Sequence, residues 1–393
     1  MNNTIKVCII TTSMQRYTND NRSPFIFDLA SAIQKRKIDV SIIAMHVQDT
    51  QKKEEMENIP VRRLKYFFEK YEVLQETRAG IPAAWEKNKM SIILIILFFM
   101  RLTIFLAIHG HEFDLLHANW TLSALSAVLT KPFHRRPVVT TLHGSDIFSA
   151  TKYRLFKIFT KIAIGASDTV ICVSTILKDA ITDMGFNRKK IFVIPNGIFV
   201  ENFTPKIKNN RKNEILFIGS LTRKKGAHLL IEAFSQIMNS FPNFSIRIVG
   251  DGPEEEKLKQ VSKKLGVEEN VIIQKSIPHD KIGKMMQEAF MFVLPSINEG
   301  FGIVLLEALA SGLPCIAFDS GGVKDVLGDG RGILVEPENV NALSSAITNL
   351  INDREMYCKL SENGVVFSQN FHWEIIAKQV VEIYKNVLQN NTD

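Results

Sequence analysis

The sequence predicts an α/β protein with two doubly wound parallel sheets, one in each half of the chain. Short β-rich runs alternate with helical patterns nearly throughout, which is typical of βαβ units. The chain has 393 residues, more than a single hydrophobic core usually supports. A polar stretch, FVENFTPKIKNNRKN, interrupts the alternation and predicts a linker. We therefore expect two domains that face each other across a cleft.

The first domain is expected to cover residues 1–205 and the second residues 206–375, and a C-terminal helix at 376–393 can pack back onto the first. In the first half the candidate strands are 6–11, 40–44, 114–117, 138–142, 169–173 and 191–194. In the second half they are 215–219, 244–249, 271–274, 291–294, 315–318 and 332–335. Helical patterns lie between them, for example at 24–35, 122–130 and 175–184.

The composition is that of a soluble globular protein with a basic balance. The chain is 46% hydrophobic and 23% charged, and its net charge of +7 favours anionic partners. The 4 cysteines are far apart and fit buried thiols in a reducing cytosol. The N-terminal residues run directly into a short apolar strand and show no export signal. We expect a cytoplasmic protein, and a location at the inner face of the cell membrane is the alternative.

One apolar segment, residues 91–108, is close to the length of a membrane span. Arg101 lies in its middle, which disfavours insertion across a bilayer. We expect a helix packed on a sheet, and the alternative is a helix that dips into the membrane interface.

The most specific motif is PSINEGFGIVLLEALASGLP at residues 295–314. Glu299 follows an apolar run, at the strand end where open α/β sheets bind ligands. Gly300 and Gly302 leave the backbone unshielded at a helix start, which predicts a phosphate seat that includes Phe301. Glu307 lies further along the helix, where its carboxylate can accept hydrogen bonds from a ribose diol. The plainer alternative is an N-terminal helix charge for Glu299 and a solvated helix residue for Glu307.

This segment resembles the E-x7-E element of glycosyltransferase family 4. The segments ILFIGSLTRKKG, FSIRIVGDGP, PNGI, TLHGSD, DLLH and DSGGVKD resemble further landmarks of that family, in the same order. The resemblance implies a GT-B fold of two Rossmann-like domains, a nucleotide-sugar donor in the C-terminal domain and an acceptor in the N-terminal domain. It also implies retention at the anomeric carbon, with a UDP- or GDP-sugar as donor and a role in polysaccharide or glycolipid synthesis.

The donor site is expected to include a basic loop that follows a strand. Arginine and lysine side chains on such a loop are suited to neutralise a diphosphate leaving group, although a run of basic residues is often only a solvated surface. Lys225 matches the pyrophosphate-binding lysine of the family, and Ser220 stands where many members have arginine. The loop residues assigned to donor binding are Gly219, Ser220, Arg223, Lys224 and Lys225.

His143 follows an apolar run in TLHGSD and precedes two small residues. In the family this histidine contacts the donor sugar near the reacting centre, so we assign catalytic roles to His143, Glu299 and Lys225. Asp146 is either a second polar contact or the cap of the next helix. Thr12 and Ser13 stand where the family has paired glycines, so we expect an acceptor-side loop of different build.

We expect no metal and no other cofactor. The sequence contains no Asp-x-Asp, and its Cys and His residues show no ligand spacing. For the chemistry, the resemblance implies front-face substitution in which the donor's own phosphate oxygen takes the acceptor proton. The alternative is a covalent intermediate on Glu299.

Other functional readings stay open at this point. A nucleotide-sugar epimerase or a phosphorylase of similar fold, and a non-catalytic nucleotide-sugar-binding subunit, are the alternatives to transfer. An oxidoreductase is disfavoured because the first strand lacks a Gly-x-Gly-x-x-Gly loop, and no nucleic-acid-binding module is present. The sugar, the base, the acceptor and the oligomeric state are not determined by the sequence.

Peripheral contact with an anionic membrane is a further expectation. Residues 151–164 place Arg154, Lys157 and Lys161 on one helix face, and residues 61–71 mix basic and aromatic residues. The alternative is that both are ordinary amphipathic helices whose aromatic side chains face the core.

Overall fold

The structure is a computed structural model that describes residues 4–17, 20, 22–74, 91–205 and 211–391. Residues 206–210 of the predicted linker and the last two residues of the predicted C-terminal helix lie outside these ranges. The chain forms two compact units, unit 1 from Met1–Gly197 and Trp373–Asp393, and unit 2 from Ile198–His372. The boundary precedes the expected residue 205 because Ile198 already pairs within unit 2, where its N–H donates to Phe371 O at 2.9 Å.

Unit 1 is built on an eight-stranded sheet with the strand order β3-β4-β2-β1-β5-β6-β7-β8. Its strands are β1 Lys6–Thr11, β2 Asp39–Met45, β3 Lys53–Met56, β4 Ile59–Leu64, β5 Leu115–Asn119, β6 Val138–Leu142, β7 Thr169–Cys172 and β8 Ile191–Val193. The central strands are buried along nearly their whole length, as expected for a parallel sheet covered on both faces. The strands predicted for this half are confirmed, with ends that differ by one or two residues.

The hairpin β3–β4 is the part of the sheet that the sequence did not predict. It is antiparallel, whereas the other strand pairs of the sheet are parallel. Glu57 and Asn58 connect its strands with φ angles of 48° and 64°. Two consecutive left-handed residues are typical of a tight hairpin turn, but glycine usually supplies them.

The helices of unit 1 are α1 Pro24–Gln34, α2 Ser91–His109, α3 Trp120–Leu129, α4 Lys131–His134, α5 Ser145–Lys152, α6 Arg154–Ala166 and α7 Thr175–Asp183. The apolar segment 91–108 is therefore a helix, as expected, and Phe98 and Leu102 on it pack into a core with strands β1, β2, β4 and β5. Residues 61–71 are not a helix: they continue from β4 to a short 3-10 turn, Glu69–Tyr71. Arg63 in that segment is buried and binds Glu54 at 2.6 Å, so it is not available to a membrane.

The C-terminal helix α15, Trp373–Gln389, belongs to unit 1. It packs against α1, and Arg36 Nη2 donates to Glu374 O at 2.6 Å. Tyr384 lies in the core, with its hydroxyl 2.6 Å from His117 Nδ1. The other ring nitrogen, Nε2, lies 2.7 Å from Thr141 Oγ1, and burial lowers the pKa of His117 to about 3. The last helix thus contacts β5 through His117, which in turn contacts β6 through Thr141.

Unit 2 is built on a parallel sheet with the strand order β11-β10-β9-β12-β13-β14. Its strands are β9 Glu214–Ile218, β10 Ser245–Val249, β11 Val271–Gln274, β12 Met291–Leu294, β13 Cys315–Phe318 and β14 Ile333–Val335. Its helices are α8 Ala227–Ile237, α9 Glu255–Lys264, α10 Ile282–Glu288, α11 Ile303–Ala310, α12 Val323–Leu327, α13 Val340–Asn352 and α14 Arg354–Ser368. The strands predicted for this half are confirmed as well.

Arg211 joins two parts of unit 2 at the ends of helices. Its guanidinium donates to carbonyl groups of Met286 (3.4 Å), Ala289 (3.0 Å), Ser311 (2.9 Å) and Gly312 (2.9 Å). These carbonyls lie at the C-terminal ends of α10 and α11, where helix carbonyls lack intrahelical partners. A single side chain therefore fixes the far end of α11, the helix that carries Glu307.

Candidate active site

Two loops of unit 2 meet where the strand order of its sheet reverses. The chain runs from β9 outward to β10 and β11, then returns to the other side of β9 with β12. Ligands of open α/β sheets bind at such switch points, beyond the carboxyl ends of the strands. The loops after β9 and β12 touch there, because Ile297 N donates to Lys224 O at 2.8 Å. A Cβ on Gly226 would lie 1.9 Å from Pro295 O, so this close contact requires glycine.

Lys225 and Glu299 form an ion pair at this switch point. Lys225 Nζ lies 2.6 Å from Glu299 Oε2, and the two side chains are 26% and 15% exposed. Lys225 ends the 3-10 turn Arg223–Lys225, whose other two side chains are more exposed. The structure therefore brings together two of the residues that the sequence singled out, from positions 74 residues apart.

The backbone of Glu299 is fixed by a third loop, which follows β13. Gly322 N donates to Glu299 O at 2.8 Å, and the hydroxyl of Ser320 donates to Ile297 O. Strands β12 and β13 are parallel neighbours, so both loops leave the sheet at the same edge. The sequence identified DSGGVKD only as a family landmark, and the structure shows that it supports the Glu299 loop.

The N-cap residue of α11 lies three residues after Glu299, and the helix start has no side-chain cap. Gly302 occupies the N-cap position with φ 93°. Gly300 and Gly302 leave this end of the helix without long side chains, and the N–H groups of a first helical turn have no partners within the helix. The side chain of Phe301 points inward, is 3% exposed and lies 6.0 Å from the Phe371 ring. The ring of Phe301 therefore belongs to the interior of unit 2, and the expected phosphate seat at its backbone stays a prediction.

Glu307 lies inside α11 and is 5% exposed, so it is not a solvated helix residue. Its Oε1 is 2.8 Å from His279 Nε2. The sequence did not single out His279, because it stands on a separate 3-10 turn, His279–Lys281, after β11. The expected contact of Glu307 with a ribose diol stays a prediction, and a ribose would meet a carboxylate that is already oriented by a histidine.

The other two donor-loop residues begin the loop after β9. Gly219 N donates to Val249 O at 3.0 Å, which continues the pairing of β9 with β10 for one residue. Ser220 follows, partly exposed, and its carbonyl accepts from Thr222 N at 2.8 Å. Arg223 and Lys224 are thus the exposed cations closest in sequence to the position where the family has arginine.

The strand order of unit 1 reverses between β1 and β5. Thr12 and Ser13 directly follow β1, and Thr12 is 7% exposed. Ser13 O accepts a hydrogen bond from Thr11 Oγ1 at 2.7 Å, and its hydroxyl lies 2.9 Å from Ser23 Oγ, just before α1. The loop that replaces paired glycines is therefore held by hydroxyl groups at this switch point.

His143 follows β6 and lies beside the end of β5. Its Nε2 is 2.9 Å from Asn119 Oδ1, while Asn119 Nδ2 donates to Ile10 O at 3.5 Å. The asparagine oxygen thus faces the ring, so Nε2 carries the proton and Nδ1 is an acceptor. Nδ1 is buried and has no hydrogen-bond partner among the described residues. The residue His143 lines a cavity of about 20 Å³, enough for a single water.

The environment of His143 keeps the ring neutral. It lies 4.5 Å from the Trp120 ring and 5.1 Å from the Phe25 ring, measured between centroids. Desolvation among these groups, with a smaller contribution from the nearby His117, lowers the pKa of His143 to about 3. A neutral ring with an unpaired acceptor nitrogen can receive a hydrogen bond from a hydroxyl group, but at neutral pH it does not donate through Nδ1.

Trp120 begins α3 with a φ of 64°, a conformation that a bulky residue rarely adopts. Backbone strain of this kind costs of order 1–3 kcal/mol and clusters at functional sites. Here it places the indole against His143. The sequence did not single out Asn119, Trp120 or Phe25, since nothing in their local pattern distinguishes them from core residues.

Asp146 is the second residue of α5 and is 8% exposed. Its Oδ1 accepts from Gly144 N at 3.0 Å and from Ile147 N at 3.1 Å, so it caps the helix start. Its Oδ2 is buried without a hydrogen-bond partner in the described part of the chain, and burial raises the pKa of Asp146 to about 6. One oxygen therefore serves the fold, and the other is unassigned.

Metal ligation finds no support in the side-chain arrangement of the described ranges. Within them, no three or more His, Cys, Asp or Glu side chains come together in a group that could hold a metal ion. Metal independence stays a prediction.

Comparison with known proteins identifies the family. The model of "Glycosyltransferase Family 4" matches residues 24–202, and that of "Glycosyl transferases group 1" matches residues 200–366. An uncharacterized glycosyltransferase of Methanocaldococcus jannaschii is 31% identical over 71% of this chain and 77% of its own length. The D-inositol 3-phosphate glycosyltransferase of Corynebacterium urealyticum is 28% identical over 71% of this chain and 73% of its own.

Solved structures show the same fold along nearly the whole chain. Sucrose-phosphate synthase from Thermosynechococcus elongatus superposes with a TM-score of 0.81 at 20% identity, covering 98% of this chain and 100% of its own. Anabaena HepE, solved in complex with UDP and glucose, superposes with a TM-score of 0.74 at 20% identity, covering 97% and 100%. The fold is GT-B. From the two family matches and the relative at 31% identity, the chain belongs to the family 4 glycosyltransferases.

Proposed function

We propose that this glycosyltransferase moves a sugar from a nucleoside-diphosphate donor to a glycan or a lipid-linked acceptor, with retention at the anomeric carbon. The observation that carries the proposal is the Lys225–Glu299 ion pair at the switch point of unit 2. A cation and a carboxylate at this position, beside an uncapped helix start, suit a ligand that combines a diphosphate with a polyhydroxylated sugar.

The donor is proposed to bind in unit 2. Lys225 and the first turn of α11 would face the diphosphate, with Arg223 and Lys224 adding positive charge at the edge. Glu307 would accept hydrogen bonds from the ribose hydroxyls, in the orientation that His279 gives it. A UDP-sugar is the first candidate, because the structurally similar Anabaena HepE was solved with UDP and glucose; a GDP-sugar is the second.

The proposed reaction is front-face substitution. The bond between the anomeric carbon and the diphosphate oxygen breaks, the acceptor hydroxyl oxygen bonds to the same face of that carbon, and a phosphate oxygen takes the hydroxyl proton. The nucleoside diphosphate leaves with the electron pair of the broken bond, and Lys225 stabilises its charge. His143 would accept a hydrogen bond from a sugar hydroxyl through Nδ1, which has no partner among the described residues.

The acceptor is proposed to bind in unit 1, near Thr12, Ser13 and Asp146, and to be lipid-linked or close to a membrane. The Asp146 oxygen without a described partner and the hydroxyl-held loop after β1 offer hydrogen-bonding groups to a glycan. We also propose that the enzyme needs no metal and acts in the cytoplasm, at the inner face of the membrane.

A screen of UDP-, GDP- and ADP-sugars tests the donor proposal. One class should raise the unfolding temperature and be slowly hydrolysed, and the free nucleoside diphosphate should compete with it. The anomeric configuration of the product, read by NMR, should match that of the donor. An inverted product would contradict retention, and turnover that requires free phosphate instead of an acceptor would indicate a phosphorylase. The absence of a thermal shift with every donor would contradict the assigned site.

A further inference from the structure

We propose that helices α2 and α6 of unit 1 form a surface that binds a bilayer containing anionic lipid, with α2 lying in the headgroup layer. We call it the α2–α6 face and define it by its exposed apolar side chains: Ile92, Ile96, Met100, Ile104 and Ile108 on α2, and Leu155, Ile158 and Ile162 on α6. The inference rests on the proposed membrane-proximal acceptor and names the surface that would bring the enzyme to it.

The exposed residues of α2 form one continuous ridge. They recur at every fourth position, and their exposed fractions are 37%, 49%, 46%, 52% and 57% from Ile92 to Ile108. Each step of four residues turns about 40° beyond a full turn, so the ridge winds around the helix while it runs for about 24 Å at 1.5 Å per residue. Scattered apolar residues are ordinary on a protein surface, but a continuous stripe of this length marks an interaction site.

The opposite side of α2 holds the helix in the fold. Phe98, Leu102 and Leu106 are fully buried in a cluster with residues of β1, β2, β4, β5 and α3. The segment Ser91–Glu112 is long and apolar enough to cross a membrane, and 28% of its most apolar stretch is buried. Crossing a bilayer would remove these side chains from the core of unit 1. A helix that is buried on one side and apolar on the other fits an in-plane position at the membrane surface.

Helix α6 lies near α2, on the other side of α3. Thr103 on α2 donates to Ser126 of α3 at 3.3 Å, and Thr121 of α3 lies 3.3 Å from Thr160 on α6. Thr121 and Ser126 are five residues apart, so their side chains leave α3 in directions about 140° apart, Ser126 toward α2 and Thr121 toward α6. The exposed fractions of Leu155, Ile158 and Ile162 on α6 are 54%, 46% and 43%. The alternative that the aromatic side chains of residues 151–164 face the core is wrong for Phe159, which is 37% exposed.

The charge on both helices favours an anionic lipid surface over a neutral partner. Arg101 borders the stripe on α2, and Arg154, Lys157 and Lys161 are exposed between the apolar residues of α6. The sequences of α2 and α6 contain no aspartate or glutamate. Basic side chains among apolar ones can extend to lipid phosphates while the apolar groups enter the interface.

The first test is co-sedimentation of the full chain, without any sugar donor, with vesicles of phosphatidylcholine alone or mixed with phosphatidylglycerol. The wild type should bind the mixed vesicles, and less so in high salt. The double variant Ile96→Gln/Ile104→Gln should bind at least tenfold more weakly, and Lys157→Gln/Lys161→Gln should lose the preference for anionic lipid. The matched control Ile272→Gln/Val366→Gln changes two exposed aliphatic residues of unit 2 and should bind as the wild type does.

The second test locates the helix. A solvent-sensitive fluorophore is attached at Met100→Cys, or for comparison at Val366→Cys, in a Cys358→Ser background that removes the partly exposed thiol. Mixed vesicles should shift the emission to the blue only at position 100. Equal binding of the Ile96→Gln/Ile104→Gln variant and the wild type, no binding by the wild type, or a label at position 100 that stays in water would overturn the proposal. A dimer in sedimentation equilibrium that the same double variant dissociates would assign the face to a second copy. None of these outcomes depends on sugar transfer.

Discussion

Replacing Lys225 by alanine should lower sugar transfer by tenfold to about a thousandfold while the protein stays folded. The Nζ–Oε2 distance of 2.6 Å shows that the ammonium reaches the loop where Glu299 stands. Opposite unit charges about 4 Å apart attract by roughly 4 kcal/mol at the effective dielectric constant of a protein surface. If this attraction to the leaving diphosphate is lost in full, the rate falls about a thousandfold, and a loss of about 1.4 kcal/mol is tenfold.

The stability cost of the same substitution is smaller. Both side chains are partly exposed, and such ion pairs contribute about 1 kcal/mol or less. Glu299→Gln removes the carboxylate charge but leaves an amide oxygen for Lys225, so it should also lower transfer at least tenfold with little change in stability. These estimates separate an effect on chemistry from an effect on folding.

The assay measures kcat/KM with the donor identified by the screen, together with the unfolding temperature. Lys212→Ala is the matched control, because Lys212 Nζ pairs with Glu288 Oε2 at 2.7 Å in the same unit, away from the switch point. It should lower stability by a similar small amount and leave transfer unchanged. Near-wild-type turnover by a folded Lys225→Ala protein, or an equal loss in the Lys212 control, would refute the role assigned to Lys225.

Three further predictions follow from the structure. Arg211→Met should destabilise unit 2 by about 2–4 kcal/mol in chemical denaturation, because four carbonyls lose their donor. The control Arg188→Met, at an exposed ion pair, should have little effect. Equal stabilities of the two variants would contradict this prediction. Transfer should survive EDTA, and strict dependence on added Mn²⁺ or Mg²⁺ would overturn the proposed metal independence. Asp146→Asn should stabilise the protein at neutral pH, since the pKa of Asp146 is raised by burial to about 6. Its folded pKa exceeds the unfolded value of 3.8, so the free energy of unfolding of the wild type falls by up to about 3 kcal/mol as pH rises from about 4 through 6. The free energy of unfolding of the variant should not show this fall. A stability difference that does not change with pH would show that the carboxyl does not titrate as described.

The sheet could be predicted from the sequence because burial on both faces leaves a strong local signal. Runs such as VCII and MFVL are apolar throughout, and each lies in a central parallel strand. The hairpin β3–β4 gave no such signal. Its strands are polar in part, and its turn uses Glu57 and Asn58 where a glycine would have marked it. The hairpin therefore depends on pairing with β2, which is a tertiary interaction.

Site residues could be predicted where a local pattern along the chain marks them. They could not be predicted where they are set by contacts with residues distant in sequence. Glu299 and Lys225 could be identified because each follows a strand beside glycines. His279, which binds Glu307, stands 28 residues away on another loop. Phe301 shows that a motif does not predict the direction of each of its side chains. It lies inside the motif, but the turn into α11 directs its ring to the interior.

The carboxyl ends of the strands in unit 1 combine several features that cost stability. His143 Nδ1 after β6, Asp146 Oδ2 at the start of α5 and Ser174 Oγ after β7 are buried without a hydrogen-bond partner in the described ranges, and Trp120 after β5 has a strained backbone. Each unsatisfied polar atom costs about 1–3 kcal/mol, so folding alone gives no reason to keep them at one edge of the sheet. A ligand rich in hydroxyl groups would satisfy acceptors such as the histidine nitrogen and the aspartate oxygen. The stabilising effect expected for Asp146→Asn and the proposed role of this edge in binding sugar therefore have the same physical origin.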